Sequence, residues 1–179
     1  SWAELSTVDA GDGRAPVRLD EVLDAYPDLM LNVDLKESAV VQGAIQAVRA
    51  ADALERVRFA SFSGRRLAVL RRQEPRARTS LGVSDVASLM AIAELGVMMP
   101  RTRWGWSQDR SRTDCVQVPV AYHGVPVVTE RFVAASHRAG LEVHVWTIDD
   151  PAQMRSLAQM RVDAIVTDVP TLALEVLGR

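Results

Sequence analysis

Apolar and polar positions alternate along the chain between two periods. Leu19, Val22 and Leu23, behind Pro16, have helical spacing and predict a short amphipathic helix over Asp20–Ala25, which Tyr26-Pro27-Asp28 ends. From Leu29 to Lys36 the period becomes two. Leu31, Val33 and Leu35 alternate with Asn32, Asp34 and Lys36, so this strand has one apolar and one polar face. Helical spacing returns over Ala39–Ala53, and Val57–Phe62 is again β-rich. Gly64–Arg72 reads as a helix closed by Pro75, and Arg78–Leu81 as a short strand. Ser84–Leu95 reads as a helix, with Ser84-Asp85 at its N-cap and Gly96 as its stop.

Arg101–Asp114 shows neither period and carries Trp104, Gly105, Trp106 and four arginines, which predicts a surface loop. The regular pattern resumes with a strand over Val116–Val120 and a helix over Thr129–Ala139, capped by Thr129 and followed by Gly140. A strand over Leu141–Ile148, a helix over Pro151–Met160, a strand over Ala164–Thr167 and a helix over Leu172–Leu177 complete the chain.

Strands that alternate with helices throughout imply parallel βαβ units, and both a doubly wound open sheet and a (β/α) barrel fit that order. Two observations favour the barrel. Asp34-Leu35-Lys36, Ser61-Phe62-Ser63, Trp146-Thr147-Ile148-Asp149 and Thr167-Asp168 put polar or aromatic groups at the C-terminal ends of strands, the face on which barrel sites are built. No glycine-rich dinucleotide fingerprint follows any strand, and Gly11-Asp12-Gly13 lies in a loop.

Composition narrows the function classes. The 179 residues, 48% hydrophobic and 25% charged, suffice for one core. Twenty-one Lys and Arg against 23 Asp and Glu leave a net charge of −2, so no global basic field draws the protein to nucleic acid or anionic lipid. An anion must be bound locally. The single Cys115 excludes an internal disulfide framework and a multi-cysteine zinc site, and no apolar run reaches the ~18 residues of a membrane span. The chain starts at Ser1 without an initiator Met, as a trimmed or partial product would, so the lack of a signal peptide carries little weight; the expectation is a cytoplasmic rather than a secreted protein.

Asp34 and Lys36 share one strand face, two residues apart, so both can point into a barrel mouth. The carboxylate could hold a divalent cation and the ammonium could neutralise a phosphate oxygen, but from spacing alone a purely structural ion pair is the commoner reason for such a pair. Trp146, at a strand end, fits either the apolar wall of a small-molecule site or core packing. His144 reads as an interior histidine, while His137 in a helix and His123 in a turn carry no assigned role. No nucleophile elbow surrounds Ser61 or Ser63, and Cys115 reads as a small hydrophobe at a strand start.

The ordered series Pro16-Val17-Arg18-Leu19-Asp20-Glu21-Val22-Leu23, Asn32-Val33-Asp34-Leu35-Lys36, Ala60-Ser61-Phe62, Val145-Trp146-Thr147-Ile148-Asp149 and Val162-Asp163-Ala164-Ile165-Val166-Thr167-Asp168-Val169-Pro170 resembles the glycerophosphodiester phosphodiesterases. The resemblance spans nearly the whole chain and implies a distorted TIM-type barrel of the phospholipase-C kind. It places Asp34 where the family usually has a metal-binding Glu, and Lys36 at the family lysine near the substrate phosphate. Trp146 falls on the aromatic near the glycerol pocket, with Phe62 also facing substrate, and Asp149 replaces a usual Asn. Arg161 stands where the family usually has Gly, and Val169 where it has Arg.

The family's His-Arg-Gly strand, Glu-x-Asp pair and His-Asp motif do not occur in these residues. The resemblance therefore implies that 1–179 are the C-terminal portion of a single barrel domain lacking its first strands, since such barrels run to ~250 residues and seldom fewer than ~200. The implied reaction is hydrolysis of glycerophosphodiesters to sn-glycerol 3-phosphate and an alcohol in glycerophospholipid metabolism. Ca2+ or Mg2+ with Lys36 would neutralise the phosphodiester, while two histidines transfer protons. The expected partner is this small-molecule diester, with no nucleic acid and no stable membrane insertion. The alternative is a catalytically inactive partial barrel that acts as a binding or assembly module; it would expose apolar strand edges and so dimerise or recruit further strands.

Overall fold

A computed structural model describes residues 2–96 and 113–178. Its centre is a six-stranded parallel sheet in which β1 (Leu31–Asp34), β2 (Val57–Ala60), β3 (Arg78–Ser80), β4 (Thr113–Pro119), β7 (Glu142–Trp146) and β8 (Ala164–Ile165) lie side by side in chain order. β5 (Ala121–Tyr122) and β6 (Val125–Pro126) form a separate antiparallel hairpin after β4. Its turn residues His123 (φ 49°) and Gly124 (φ 79°) are both left-handed, as a two-residue hairpin turn requires.

The helices are α1 (Trp2–Leu5), α2 (Leu19–Ala25), α3 (Val41–Ala50), α4 (Gly64–Gln73), α5 (Val83–Leu95), α6 (Glu130–Arg138), α7 (Pro151–Gln159) and α8 (Pro170–Leu177). Helix starts follow local chemistry where a short polar side chain is available. Ser63, Thr129 and Asp150 accept hydrogen bonds from the backbone N–H groups of Arg66, Phe132 and Gln153, and Pro151 occupies the first turn of α7.

The N-cap of α5 differs from expectation: it is Gly82, not Ser84-Asp85. A Cβ on Gly82 would lie 2.6 Å from the Gly64 Cα, so only glycine allows the β3–α5 turn to pack on the start of α4. Strand β4 also begins earlier than expected. Thr113 and Asp114, assigned above to an irregular loop, lie in β4 because Thr113 aligns with Thr79 of β3 and Asp114 is held by two arginines. The rest of that stretch, 101–112, lies outside the described residues. Arg161, at the position of the family's usual Gly, has φ 62°, a left-handed conformation that costs a non-glycine residue roughly 1 kcal/mol.

Monotonic strand order excludes the doubly wound alternative, whose order reverses at a switch point. Side-chain reach shows the sheet to be curled. Asn32 on β1 and Gln117 on β4 exchange two amide hydrogen bonds, of 2.8 and 3.3 Å, although β2 and β3 separate their strands. In a flat sheet those backbones would stand roughly 14 Å apart.

The fold is thus a barrel-type curved sheet, with its helices on the convex side. Two apolar clusters join the layers. One packs Leu23, Ile45, Val48 and Leu70 against Val57 and Phe59, and the other packs Leu89, Phe132, Met154 and Leu157 against Val116, Val143 and Val145. Alternation sends these apolar side chains outward to the helices and leaves the intervening polar ones on the concave face.

Candidate active site

The C-terminal mouth of the curled sheet collects all four residues that the sequence singles out. Asp34 ends β1, and Lys36 lies two residues beyond it rather than within the strand as expected, because the β1–β2 ladder stops at Asp34. Alternation still holds there: Leu35 is buried, whereas Asp34 and Lys36 are accessible and form an ion pair. The Lys36 side chain stays 71% exposed, so its ammonium keeps donors for a ligand.

Lys36 Nζ stands 5.4 Å from the centroid of the Phe62 ring. Phe62, just after β2, meets Trp146 at the end of β7 edge to face, with centroids 5.8 Å apart and planes at 79°. A continuous path of contacts therefore runs Asp34–Lys36–Phe62–Trp146 across three strand ends. It places one carboxylate, one cation and two aromatic rings on a single mouth.

The loops behind these residues are tightly tied. Ser61, buried, donates its hydroxyl to the Leu35 carbonyl at 2.8 Å. Arg66, in the first turn of α4, bridges the same two groups, with Nη1 2.8 Å from the Leu35 oxygen and 2.7 Å from Ser61 Oγ. Sequence reasoning missed Arg66. The available signal was its place: Gly64-Arg65-Arg66 opens a helix with no acidic residue in the first turn, where negative rather than positive charge is favoured. On the far side of the mouth, Asp149 accepts bonds from the Thr167 hydroxyl at 2.8 Å and the Asp168 N–H at 2.9 Å, joining the chain after β7 to that after β8. An Asn oxygen could accept the same two bonds, so the change from the family's usual Asn preserves this tie.

No histidine joins this path of contacts. His123 is in the hairpin turn, and His137 on α6 pairs with Asp163 at 2.8 Å. His144 is interior, as expected, and 8% exposed; Glu142 and Arg58 share its Nε2 at 3.0 and 3.3 Å. Burial holds its pKa below the ordinary value, Glu142 pulls the other way, and Arg58 reinforces the lowering. Cys115 is the third residue of β4 rather than a strand start, and burial pushes its thiol up to about 12, which leaves it an inert interior side chain.

The described residues do not form a cation site by themselves. No group of three His, Cys, Asp or Glu side chains converges among them, Asp34 is engaged by Lys36, and Asp149 by the Thr167 hydroxyl and the Asp168 N–H. A hard divalent cation takes six or more oxygen ligands, of which Asp34 could be one.

A model of the glycerophosphoryl diester phosphodiesterase family matches residues 1–172. The Mycobacterium tuberculosis protein named "Probable glycerophosphodiester phosphodiesterase 2" is 33% identical over 177 residues, covering 98% of this chain. The chain spans 65% of that relative's length. Among solved structures, a Galdieria sulphuraria protein assigned as a glycerophosphodiester phosphodiesterase superposes with a TM-score of 0.77 at 23% identity, over 100% of this chain and 70% of its own. An Oleispira antarctica phosphodiesterase, solved in complex with the product sn-glycerol-3-phosphate, gives 0.66 at 19% identity, over 100% of this chain and 71% of its own. At these identities the two structures bear on the fold alone.

Proposed function

The chain belongs to the glycerophosphoryl diester phosphodiesterase family, and we propose that its C-terminal mouth binds the phosphate and glycerol of a glycerophosphodiester that is cleaved to sn-glycerol 3-phosphate and an alcohol. The observation that carries this reading is the convergence of Asp34, Lys36, Phe62 and Trp146 from three strand ends into one contact path. Lys36 offers a mobile cation to the phosphodiester oxygens, where a local charge suffices for a protein of net charge −2. Phe62 and Trp146 offer apolar faces to the glycerol carbons, a wall that orients the substrate and keeps water from one side of it.

Asp34 supplies one carboxylate toward a divalent cation, Ca2+ or Mg2+, and a phosphate bound at Lys36 would loosen the Asp34–Lys36 pair and release that carboxylate. Proton transfer in the reaction needs a general acid and base; His137 and His144 are engaged away from the four mouth residues, and His123 lies in the hairpin that follows β4, at the same end of the sheet. The alternative reading is a partial barrel that binds the ligand without cleaving it.

Titration of the chain with sn-glycerol 3-phosphate, followed by an assay of glycerol 3-phosphate release from glycerophosphocholine with Ca2+ or Mg2+, separates the readings. Binding that weakens about tenfold in Lys36→Ala, a loss of about 1.4 kcal/mol, is the expected result. The stability of that variant should stay within about 0.5 kcal/mol of the parent, because the lost ion pair is exposed. Release of product assigns the enzyme, and binding without release by a dimer assigns the module. Equal binding by parent and Lys36→Ala would overturn the site.

A further inference from the structure

We propose that Arg66 is a positioning residue for this mouth, acting through the Leu35 carbonyl and the Ser61 hydroxyl to set the directions of Lys36 and Phe62. The proposal rests on the site reading above and names a residue which that reading does not use.

The β1–β2 ladder pairs Asp34 with Ala60 and continues only as the Leu35 N–H bond to the Ala60 carbonyl. Beyond it, the sheet no longer fixes either chain. The peptide that joins Leu35 to Lys36 is held instead by its carbonyl oxygen, which accepts from Ser61 Oγ and Arg66 Nη1, each at 2.8 Å. Ser61 precedes Phe62, and its Oγ also accepts from Arg66 Nη1 at 2.7 Å and from the Ser63 N–H at 3.3 Å. One nitrogen therefore ties together the two strand ends that carry Lys36 and Phe62. The Phe62 carbonyl is held from the other side by the Val83 N–H at 3.2 Å, which leaves the aromatic ring little freedom in its backbone.

Stability rules alone would not put an arginine here. Its charge sits in the first turn of α4, against the helix dipole, and its Nε is buried with no hydrogen-bond partner. Local rules broken next to a binding mouth are expected where the side chain serves the site.

Three variants test this: Arg66→Leu, Arg66→Lys and Ser61→Ala, the last in case Arg66→Leu does not fold. The first readout needs no ligand. In NMR spectra, the ring-shielded Lys36 methylene signals and the Trp146 indole signal should move toward unstructured values in Arg66→Leu, while far-UV circular dichroism stays unchanged. Binding of sn-glycerol 3-phosphate should weaken about tenfold, since misplacement of about an ångström has effects of that size or larger. Arg66→Lys should recover part of the loss, because one ammonium can still reach these acceptors.

In a Lys36→Ala background Arg66→Leu should have a smaller effect than in the parent, because only its action through Phe62 remains. Unmoved Lys36 and Trp146 signals in Arg66→Leu, or in Ser61→Ala if the former fails to fold, would overturn the proposal. So would a full tenfold effect without Lys36. If Lys36→Ala itself leaves binding intact, the site reading fails, and the ligand-free spectra still decide the role of Arg66.

Discussion

The two ends of the curled sheet use the same strands differently. At the N-terminal end, Arg58 of β2 bonds Asp114 of β4 and Glu142 of β7, and Arg78 of β3 reaches the same Asp114 at 2.6 Å. His144 closes the group against Glu142 and Arg58. Each charge there has partners from other strands, and the Arg58 side chain is only 12% exposed. At the C-terminal end the Asp34–Lys36 pair and the Phe62 and Trp146 rings stand open among the described residues, and Lys36 keeps free donors. Mutual satisfaction at one end braces the curvature, whereas groups left open at the other can still bind something. A barrel separates stability from function in this way, by assigning them to opposite strand ends.

The largest expected effect comes from breaking the closed end. Asp114→Ala leaves Arg58 and Arg78 without their shared carboxylate and should cost about 3 kcal/mol, read as a lower urea midpoint at unchanged slope. Binding of sn-glycerol 3-phosphate by the folded fraction should not change. If it fell in step with stability, the two ends would not be independent.

A smaller effect belongs to the open end. Trp146→Ala removes one of the two rings of the wall and should weaken the same binding roughly three- to tenfold, the range of an aromatic contact worth about 0.5–1.5 kcal/mol. Calorimetric titration would measure it, and an unchanged affinity would leave Trp146 a packing residue.

The smallest effect is on pH dependence. The His144 pKa is lowered on folding, chiefly by burial, so the unfolded chain takes up this proton more readily than the native one. Its contribution to stability is therefore present above the ordinary value of 6.5 and is lost as the pH falls toward the lower native value. His144→Gln should flatten that part of the stability curve below pH 6.5, measured by urea unfolding at a series of pH values.

Much of this was legible in one dimension. The period-two run around Asn32, Asp34 and its neighbours, the cap Thr129, and the stop at Gly96 are local signals that packing does not override. Ser84 does not cap α5 because the deciding contact, Gly82 on Gly64, joins the β3–α5 turn to the start of α4, which local sequence does not show. Asp114 was misread as loop for the same reason, since its arginine partners come from two earlier strands.

Local pattern alone fixes the alternation of strands and helices, the apolar and polar faces of the strand that carries Asp34, and the identity of Asp34, Lys36, Phe62 and Trp146 as strand-end groups. These follow from backbone periods and residue chemistry, which act over a few residues. Only the tertiary structure decided that the sheet curls, that the four groups share one mouth, that Arg66 ties their supporting loops, and that His144 belongs to the opposite end. Each of these depends on side chains that meet across strands not adjacent in sequence, and such meetings are set by the curvature of the whole sheet rather than by any local pattern.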